Sequence, residues 1–473
     1  MEYEDTNILR TQYVDDLVEQ RQNLEEALKY QNINTTTGEG LKTLVPKVAA
    51  ITGNKLYLPY INFYASGDAL MTDDDLEAFI NTVNINVMDS LKYFLDGQTK
   101  ITKIDFSNVY LDNQEVAYMF YGLSGVRNII FSTRNDLSKI TDLKGMCELN
   151  GGSWAADEDV TPIDFSSFIL NEDEPITIQR TFTHAGKLPS NLEKCTIMMG
   201  NSIFSKMLMP DFVLDLRKYK FKWQGSQLFR DCCEGSHFKE VILDFALKNV
   251  EGIEDVESYS MYNGVGALAI GVKKFTFLNT HLCKAKEITG FIDGRGLEHP
   301  INLSGINLSK MTSLNRMITY YPVDYFYMED VDTSHIKTFS EMFSGTHSTG
   351  LRYFIGSLSG ESATTVQEIF PYYSLLTHFT GLKDVGKAYT QKTASYSYYT
   401  NNYSDNYNLS YDSLILIINK LYDLNITYGV YDEEGNPGTG TLYTQKLVLG
   451  SKNLAKLTAE EIAIATNKGW TVS

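Results

Sequence analysis

The sequence predicts an α+β chain: a short N-terminal helical segment, an irregular β-rich solenoid, and a C-terminal strand–helix cap. Three observations predict it. Apolar residues near the start fall on heptad spacing, a strand-then-aromatic-turn unit recurs from about residue 95 to 385, and the end pairs one more strand with a capped helix. A chain of 473 residues also exceeds the roughly 250–300 that one hydrophobic core supports, so two or more folded units are expected. The boundaries read as a helical oligomerisation segment at 1–52 and an α+β connector at 53–95. The solenoid follows at 96–388, a Tyr/Ser/Asn-rich loop region at 389–412, and the capping repeat at 413–473.

Residues 6–30 read as a helix in which Val14, Leu17, Leu24 and Leu28 occupy alternating a and d positions, with Arg21 the one polar intrusion. Two heptads cannot hold a coiled coil alone in water, but they suffice as one strand of a larger bundle. These four residues are therefore candidate oligomer contacts; the plainer alternative is a helix packed on its own chain. Asn32 to Gly40 is polar and turn-like, and Leu41, Leu44, Val45 and Val48 form a second short apolar face. Further on, Thr72 precedes Asp73-Asp74-Asp75 and an apolar helix-like stretch. Negative charge in a first helical turn is favoured by the macrodipole, which gives this acidic run a structural reading.

The period comes next. One unit runs from Ile101-Thr-Lys-Ile104-Asp105-Phe106-Ser107 to Met119-Phe120-Tyr121-Gly122, and a second from Ile163-Asp164-Phe165 to Thr181-Phe182. Others run from Leu214-Asp215-Leu216 to Leu228-Phe229, and from Leu243-Asp244-Phe245 to Met261-Tyr262-Asn263-Gly264. Two more end at Met317-Ile318 and at Met342-Phe343-Ser344-Gly345. Each strand alternates apolar and polar residues, so its apolar side enters a shared core, and glycine, where present, lets the chain turn back. One such unit cannot bury its own apolar face; neighbours must stack. Asp105, Asp164, Asp215 and Asp244 recur at one repeat position, which marks them as structural. Long insertions are expected around Gly151-Gly152 and from Lys187 to Ser205.

From 389 to 411 tyrosines interleave with Ser, Thr and Asn, the composition of adaptable binding loops. Tyr396, Tyr398, Tyr399, Tyr403 and Tyr407 are the candidate surface-binding residues; the alternative is a solenoid edge whose tyrosines cover the core. Ser413 to Leu424 reads as a short helix, Asn436-Pro437-Gly438 as a turn, and Gln445 to Gly450 as a last repeat strand. Thr458 with Glu461 forms a capping box ahead of a final helix. Trp470 is expected to plug the last gap in the core.

The net charge of −18 disfavours nucleic acid and anionic membrane as partners, since both recruit clustered Lys and Arg. No apolar run is long enough to span a bilayer, and the first ten residues do not read as a secretory signal. Five scattered cysteines, Cys147, Cys195, Cys232, Cys233 and Cys283, fit buried reduced thiols better than a disulfide framework. Histidines lack HExxH spacing, Gly294-Arg295-Gly296 lacks a third glycine, and no calcium loop occurs. No catalytic residue, cofactor or metal is assigned, and the chain is read as a non-enzyme.

Val331-Asp332-Thr333-Ser334-His335-Ile336, followed by Ser340-Glu341-Met342-Phe343-Ser344-Gly345, resembles the BspA-type leucine-rich repeats of bacterial surface and phage structural proteins. Gln20 to Leu28 with Leu41 to Val48, and the closing Lys468-Gly469-Trp470, look like the termini of phage tail and minor structural proteins. The resemblance implies a structural protein of a tail, baseplate or fibre, assembled in the host cytoplasm. It implies attachment to other virion proteins through the N-terminus, assembly with copies of itself as a trimer, and a repeat domain free to meet a host-surface glycan or protein. Two other readings stay open: a bacterial leucine-rich-repeat adhesin, and a virion-associated polysaccharide depolymerase using two opposed carboxylates.

Overall fold

The computed structural model describes residues 18, 70–149, 159–225, 227–266, 268–345, 350–373, 375–390, 398–425, 430–431, 437–438 and 444–473. The helices expected at 6–30 (apart from Val18) and at 41–48 lie outside the described residues, as do Val14, Leu17, Leu24, Leu28, Gly151, Gly152, Tyr396 and Asn436. The chain divides into two compact units: Met1–Met209 with Tyr219–Lys222, and Pro210–Lys218 with Trp223–Ser473. The division falls inside the stretch that the sequence presents as one repeat section. Both units are β-solenoids with few helices.

Strands stack in parallel at a regular sequence interval. In the first unit Ile104 pairs with Ile129, 25 residues on, and Ile197 with Phe221, 24 on. In the second, Ile292 pairs with Ile318 and Ile318 with Phe343, intervals of 26 and 25. Parallel neighbours need a long return path, and one coil of about 25 residues supplies it. The strand Lys103–Phe106 buries Ile104 and Phe106 and exposes Lys103 and Asp105, as its alternation predicts. Phenylalanines meet across the core within a coil: Phe106–Phe120 at 5.5 Å and Phe165–Phe182 at 5.1 Å in the first unit, Phe326–Phe343 and Phe370–Phe379 both at 4.9 Å in the second.

Eight of the described corners are built from two left-handed residues four positions apart. Tyr93 and Gly97, Tyr118 and Gly122, Arg180 and His184, and Ser202 and Lys206 form such pairs in the first unit. Asp231 and Gly235, Arg316 and Tyr320, Glu341 and Gly345, and Glu368 and Tyr372 do so in the second. Between them the chain donates hydrogen bonds alternately. The N–H groups of Tyr118, Phe120 and Gly122 reach the carbonyls of Lys144, Met146 and Glu148 on the next rung. The intervening N–H groups of Met119 and Tyr121 return to Val116 and Tyr118 within the same turn. Every second donor thus goes to a neighbour and the others stay at home, which leaves no buried N–H orphaned along the turn. The residues inside the pair, such as Met119 and Phe120 or Met342 and Phe343, are fully buried.

Three expectations change on this geometry. Lys187 to Ser205 is no insertion but a rung of its own, with the strand Thr196–Met198 paired to Lys220–Lys222 and the corner Ser202–Lys206 burying Ile203 and Phe204. Leu228-Phe229 is not the inner pair of its turn; Cys232 and Cys233 sit between the left-handed Asp231 and Gly235 and are 0% exposed. Tyr262 is 38% exposed, because the corner falls at Asn263 and places Met261 and Val265 inside instead.

Helix α1 (Asp73–Thr82) precedes the strand Lys103–Phe106 in the first unit and is closed at its start by a Thr72–Asp75 capping box. Three helices close the second: α2 (Tyr411–Asn419), α3 (Ser451–Leu454) and α4 (Ala459–Asn467). Helix α2 starts two residues before the expected Ser413 because Ser410 caps it, and stops before Leu424 because Leu421 joins Val385 in a parallel bridge. The expected Thr458–Glu461 box is present. Lys468 caps the end of α2 through the carbonyls of Ile418, Asn419 and Leu421, while Lys456 donates to those of Tyr407 and Leu409. Trp470 is 2% exposed, donates to Tyr422 O at 2.9 Å and lies against Gly386, where a Cβ would come within 2.6 Å of its ring.

Among the described residues, none of the 20 non-glycine residues with positive φ is β-branched. Tyr372, at φ 67° and 58% exposed, isolates the cost of that conformation. Tyr372→Val is expected to destabilise by about 1–2 kcal/mol more than Tyr372→Gly, measured as paired shifts in melting temperature.

Candidate contact surface

The outward sides of the second unit's strands carry a row of aromatic rings. In Tyr325–Met328, Phe326 and Met328 face the core, while Tyr325 is 38% exposed and Tyr327 half-buried. The register that pairs Phe326 with Phe354 also sets Tyr353 over Tyr325, ring centroids 4.6 Å apart at 14°. Tyr327 lies beside Tyr325 at 6.2 Å and 9°, and His378 follows Tyr353 at 6.5 Å. Each stacked pair contributes about 0.5–1.5 kcal/mol beyond burial. Rings stacked this way cover one another's faces and turn their edges outward. Arg352 and Asp324 pair at 3.4 Å at the start of these rungs.

The first unit has a counterpart at its corner column. Tyr93 stacks on Tyr118 at 5.0 Å and 2°, and Gly145 is glycine at the next rung because a Cβ there would lie 2.5 Å from the Tyr118 ring. The ammonium groups of Lys92 and Lys144 lie 5.9 and 5.8 Å from these rings, within cation–π range. Tyr121 meets Tyr118 edge-on, and Glu148 pairs with Arg180 at 2.7 Å. Burial, with Glu148 and Asp96 nearby, holds the Tyr121 hydroxyl above its ordinary range, and burial also raises Asp96.

A groove of about 310 Å³ lies beside α1. Asp73, Glu77, Ile80, Asn81 and Asn84 fall at helical spacing along one wall; Lys103, Asp105 and Ser107 alternate along the other. The two walls are stapled by Asp73, whose carboxylate accepts the N–H groups of Thr102 (2.7 Å) and Lys103 (3.2 Å). Burial alone would raise Asp73, but these bonds and the Thr102 hydroxyl outweigh it and hold the carboxyl below its ordinary value.

Of the tyrosines singled out by composition, Tyr396 is outside the described residues, and Tyr398 and Tyr399 open the strand Tyr398–Asn402. Tyr403 is a correction. It is 1% exposed and packs on Phe379 at 6.0 Å, because it follows Asn401 on the inward side of the rung; it is core, not surface. Tyr407 is half-buried under Lys452, whose ammonium lies 3.8 Å from its ring centroid. The exposed Tyr325 and the half-buried Tyr353 lie on ordinary strands, where their alternation with Phe326 and Phe354 is the sequence signal that marks them as outward.

The groups that could carry chemistry are committed elsewhere. The five cysteines are buried, and burial pushes Cys195 and Cys283 up to about 11 and Cys147 and Cys233 further, so these four hold their protons at neutral pH. Arg295 forks onto Asp293 at 3.0 and 2.6 Å and covers the Tyr320 ring, which occupies the Gly294-Arg295-Gly296 loop with structure. Asp105, Asp164, Asp215 and Asp244 each accept the N–H two residues on, at 2.9–3.1 Å. Asn302, Asn307, Asn402 and Asp332 make the same turn. Among the described residues no group of three His, Cys, Asp or Glu is placed to hold a metal ion, and no helix is long and apolar enough to cross a membrane.

The Ser107 and Ser138 hydroxyls and N–H groups hold Asp105 and Asp136 below their ordinary pKa, and the Ser334 N–H does the same for Asp332. A lowered folded pKa gives stability that is present above the unfolded value, about 3.9, and lost as pH falls through the folded value. Melting temperature is therefore expected to drop below about pH 4. Asp332→Asn, which keeps the acceptor, should flatten that drop with little cost at pH 7, whereas Asp332→Ala should cost about 0.5–1.5 kcal/mol there. Thermal melts across pH 2–7 (a range set by the carboxylate pKa, about 3.9) check both. Compared with protein-family models, curated proteins and solved structures, the chain gives no match.

Proposed function

We propose that the chain is a non-enzymatic structural protein of a bacteriophage virion, a tail, baseplate or fibre component, held by its N-terminal segment and presenting its solenoids for contact. The observation that carries the reading is the outward aromatic row Tyr325–Tyr353, with Tyr327 and His378, on rungs whose register is fixed from inside. Tyrosine offers large contact area at low entropic cost, and a rigid parallel scaffold sets the spacing of its hydroxyl edges. The commitment of aspartates, arginines and thiols to turns and core favours display over catalysis. The BspA-type repeat identity and the phage setting rest on the sequence resemblances at Val331–Gly345 and at both termini.

Two measurements test the reading. Particles produced from the genome that encodes the chain should contain it in stoichiometric amount, with residues 1–52 held in the particle and the repeats outward in cryo-electron microscopy. Sedimentation of the free chain should give three times the monomer mass. A chain absent from any particle sinks the virion role and favours the adhesin. Within the virion reading, Tyr325→Ser with Tyr353→Ser should reduce adsorption to host cells at least tenfold while the particle assembles normally; unchanged adsorption removes this face from the contact.

A further inference from the structure

We propose that the groove between α1 and the strand Lys103–Phe106 is a binding site for a neutral saccharide. Its volume of about 310 Å³ stands at the small end of ligand sites, which run from about 300 to 1,000 Å³. The floor is apolar, with Leu76, Val83 and Ile85 buried and Ile80 half-buried. Above it, the side chains of Asn81, Asn84 and Asn108 line the walls, with Asn81 and Asn108 exposed and Asn84 half-buried. An amide donates and accepts at once, which suits vicinal hydroxyl groups. Leu76, Val83 and Ile85 are 0–2% exposed, so of these four it is the half-buried Ile80 that meets the C–H face of a pyranose ring. At one end the Asn86 amide oxygen accepts the Tyr110 N–H at 3.2 Å, which sets a tyrosine that is 49% exposed beside the groove.

Charge selects among ligands. Three carboxylates, Asp73, Glu77 and Asp105, face a single ammonium, Lys103, so an anionic sugar or a phosphate is repelled. For a cationic peptide the limit is hydrogen bonding: Asp73 already accepts from Thr102 and Lys103, and Asp105 from Ser107 and the Lys103 ammonium at 3.1 Å, so of the three carboxylates only Glu77 offers oxygens not engaged in these bonds. A neutral polyol uses the three amides and Glu77 together. The inference stands on the groove alone and does not depend on the virion reading, since it concerns the first unit and not the tyrosine row.

The test is saturation-transfer NMR and calorimetry on the full chain with four neutral probes, the trisaccharides of glucose, galactose, mannose and N-acetylglucosamine. A sulfated tetrasaccharide and trilysine serve as counter-probes. At least one neutral probe is expected to bind with Kd on the order of 0.1–1 mM. Asn84→Leu and Tyr110→Ala should each weaken it about tenfold with an unchanged melting temperature. Because Asn84 touches the floor, Asn108→Asp serves as a second, exposed variant that alters the amide without altering shape. Failure of all four neutral probes, binding that survives all three substitutions, or binding of trilysine or the sulfated probe alone overturns the proposal.

Discussion

Everything in these two units depends on how the turn after each strand disposes of its backbone donors. Alternate N–H groups go to the next rung and to the turn itself, as at Tyr118 to Gly122. At corners such as this one left-handed residues stand at both ends of five residues, and the pattern fixes the neighbour's distance before any side chain is counted. Once the rungs are at hydrogen-bonding distance, rings at matching positions must stack or clash. Phe326 over Phe354 inside and Tyr325 over Tyr353 outside are two results of one register.

The strands were legible because alternation writes them plainly: Ile104 with Phe106, Phe326 with Met328. The corners were legible only where glycine stands at the second left-handed position, as at Gly122 and Gly345. Ser202, Lys206, Glu368 and Tyr372 take the same conformation with no residue preference to betray it. The rung at Thr196–Lys206 therefore looks like an insertion in sequence. Cys232-Cys233 was equally hidden, since two thiols do not resemble Met-Phe although they fill the same place. The groove was beyond sequence reading altogether. Its walls are separated by some twenty residues and are joined by the bonds that Asp73 accepts from Thr102 and Lys103.

The 31 tyrosines invite a reading of surfaces, and composition alone cannot sort them. Several are internal struts instead. The Tyr259 hydroxyl accepts the Lys284 N–H, and that of Tyr321 accepts the Ile301 N–H and donates to Tyr325 O. The Tyr373 hydroxyl accepts the Tyr321 N–H. A phenol is long enough to span from the core to a backbone group that the coil leaves over, which phenylalanine cannot do. Burial accordingly raises the Tyr259, Tyr321 and Tyr403 hydroxyls well above their ordinary range.

The left-handed corners also decide which positions are free to vary. The described corners are occupied by glycine or by residues without a branched β-carbon, and several of their side chains meet their equivalents on the neighbouring rungs. Arg316 above Glu341, or Tyr93 above Tyr118, illustrates how different the occupants are while the backbone stays the same. Each file of corners is therefore a writable column. Its letters are spaced about 4.8 Å apart by the strand ladder, and they can be changed one at a time without rewriting the fold that holds them.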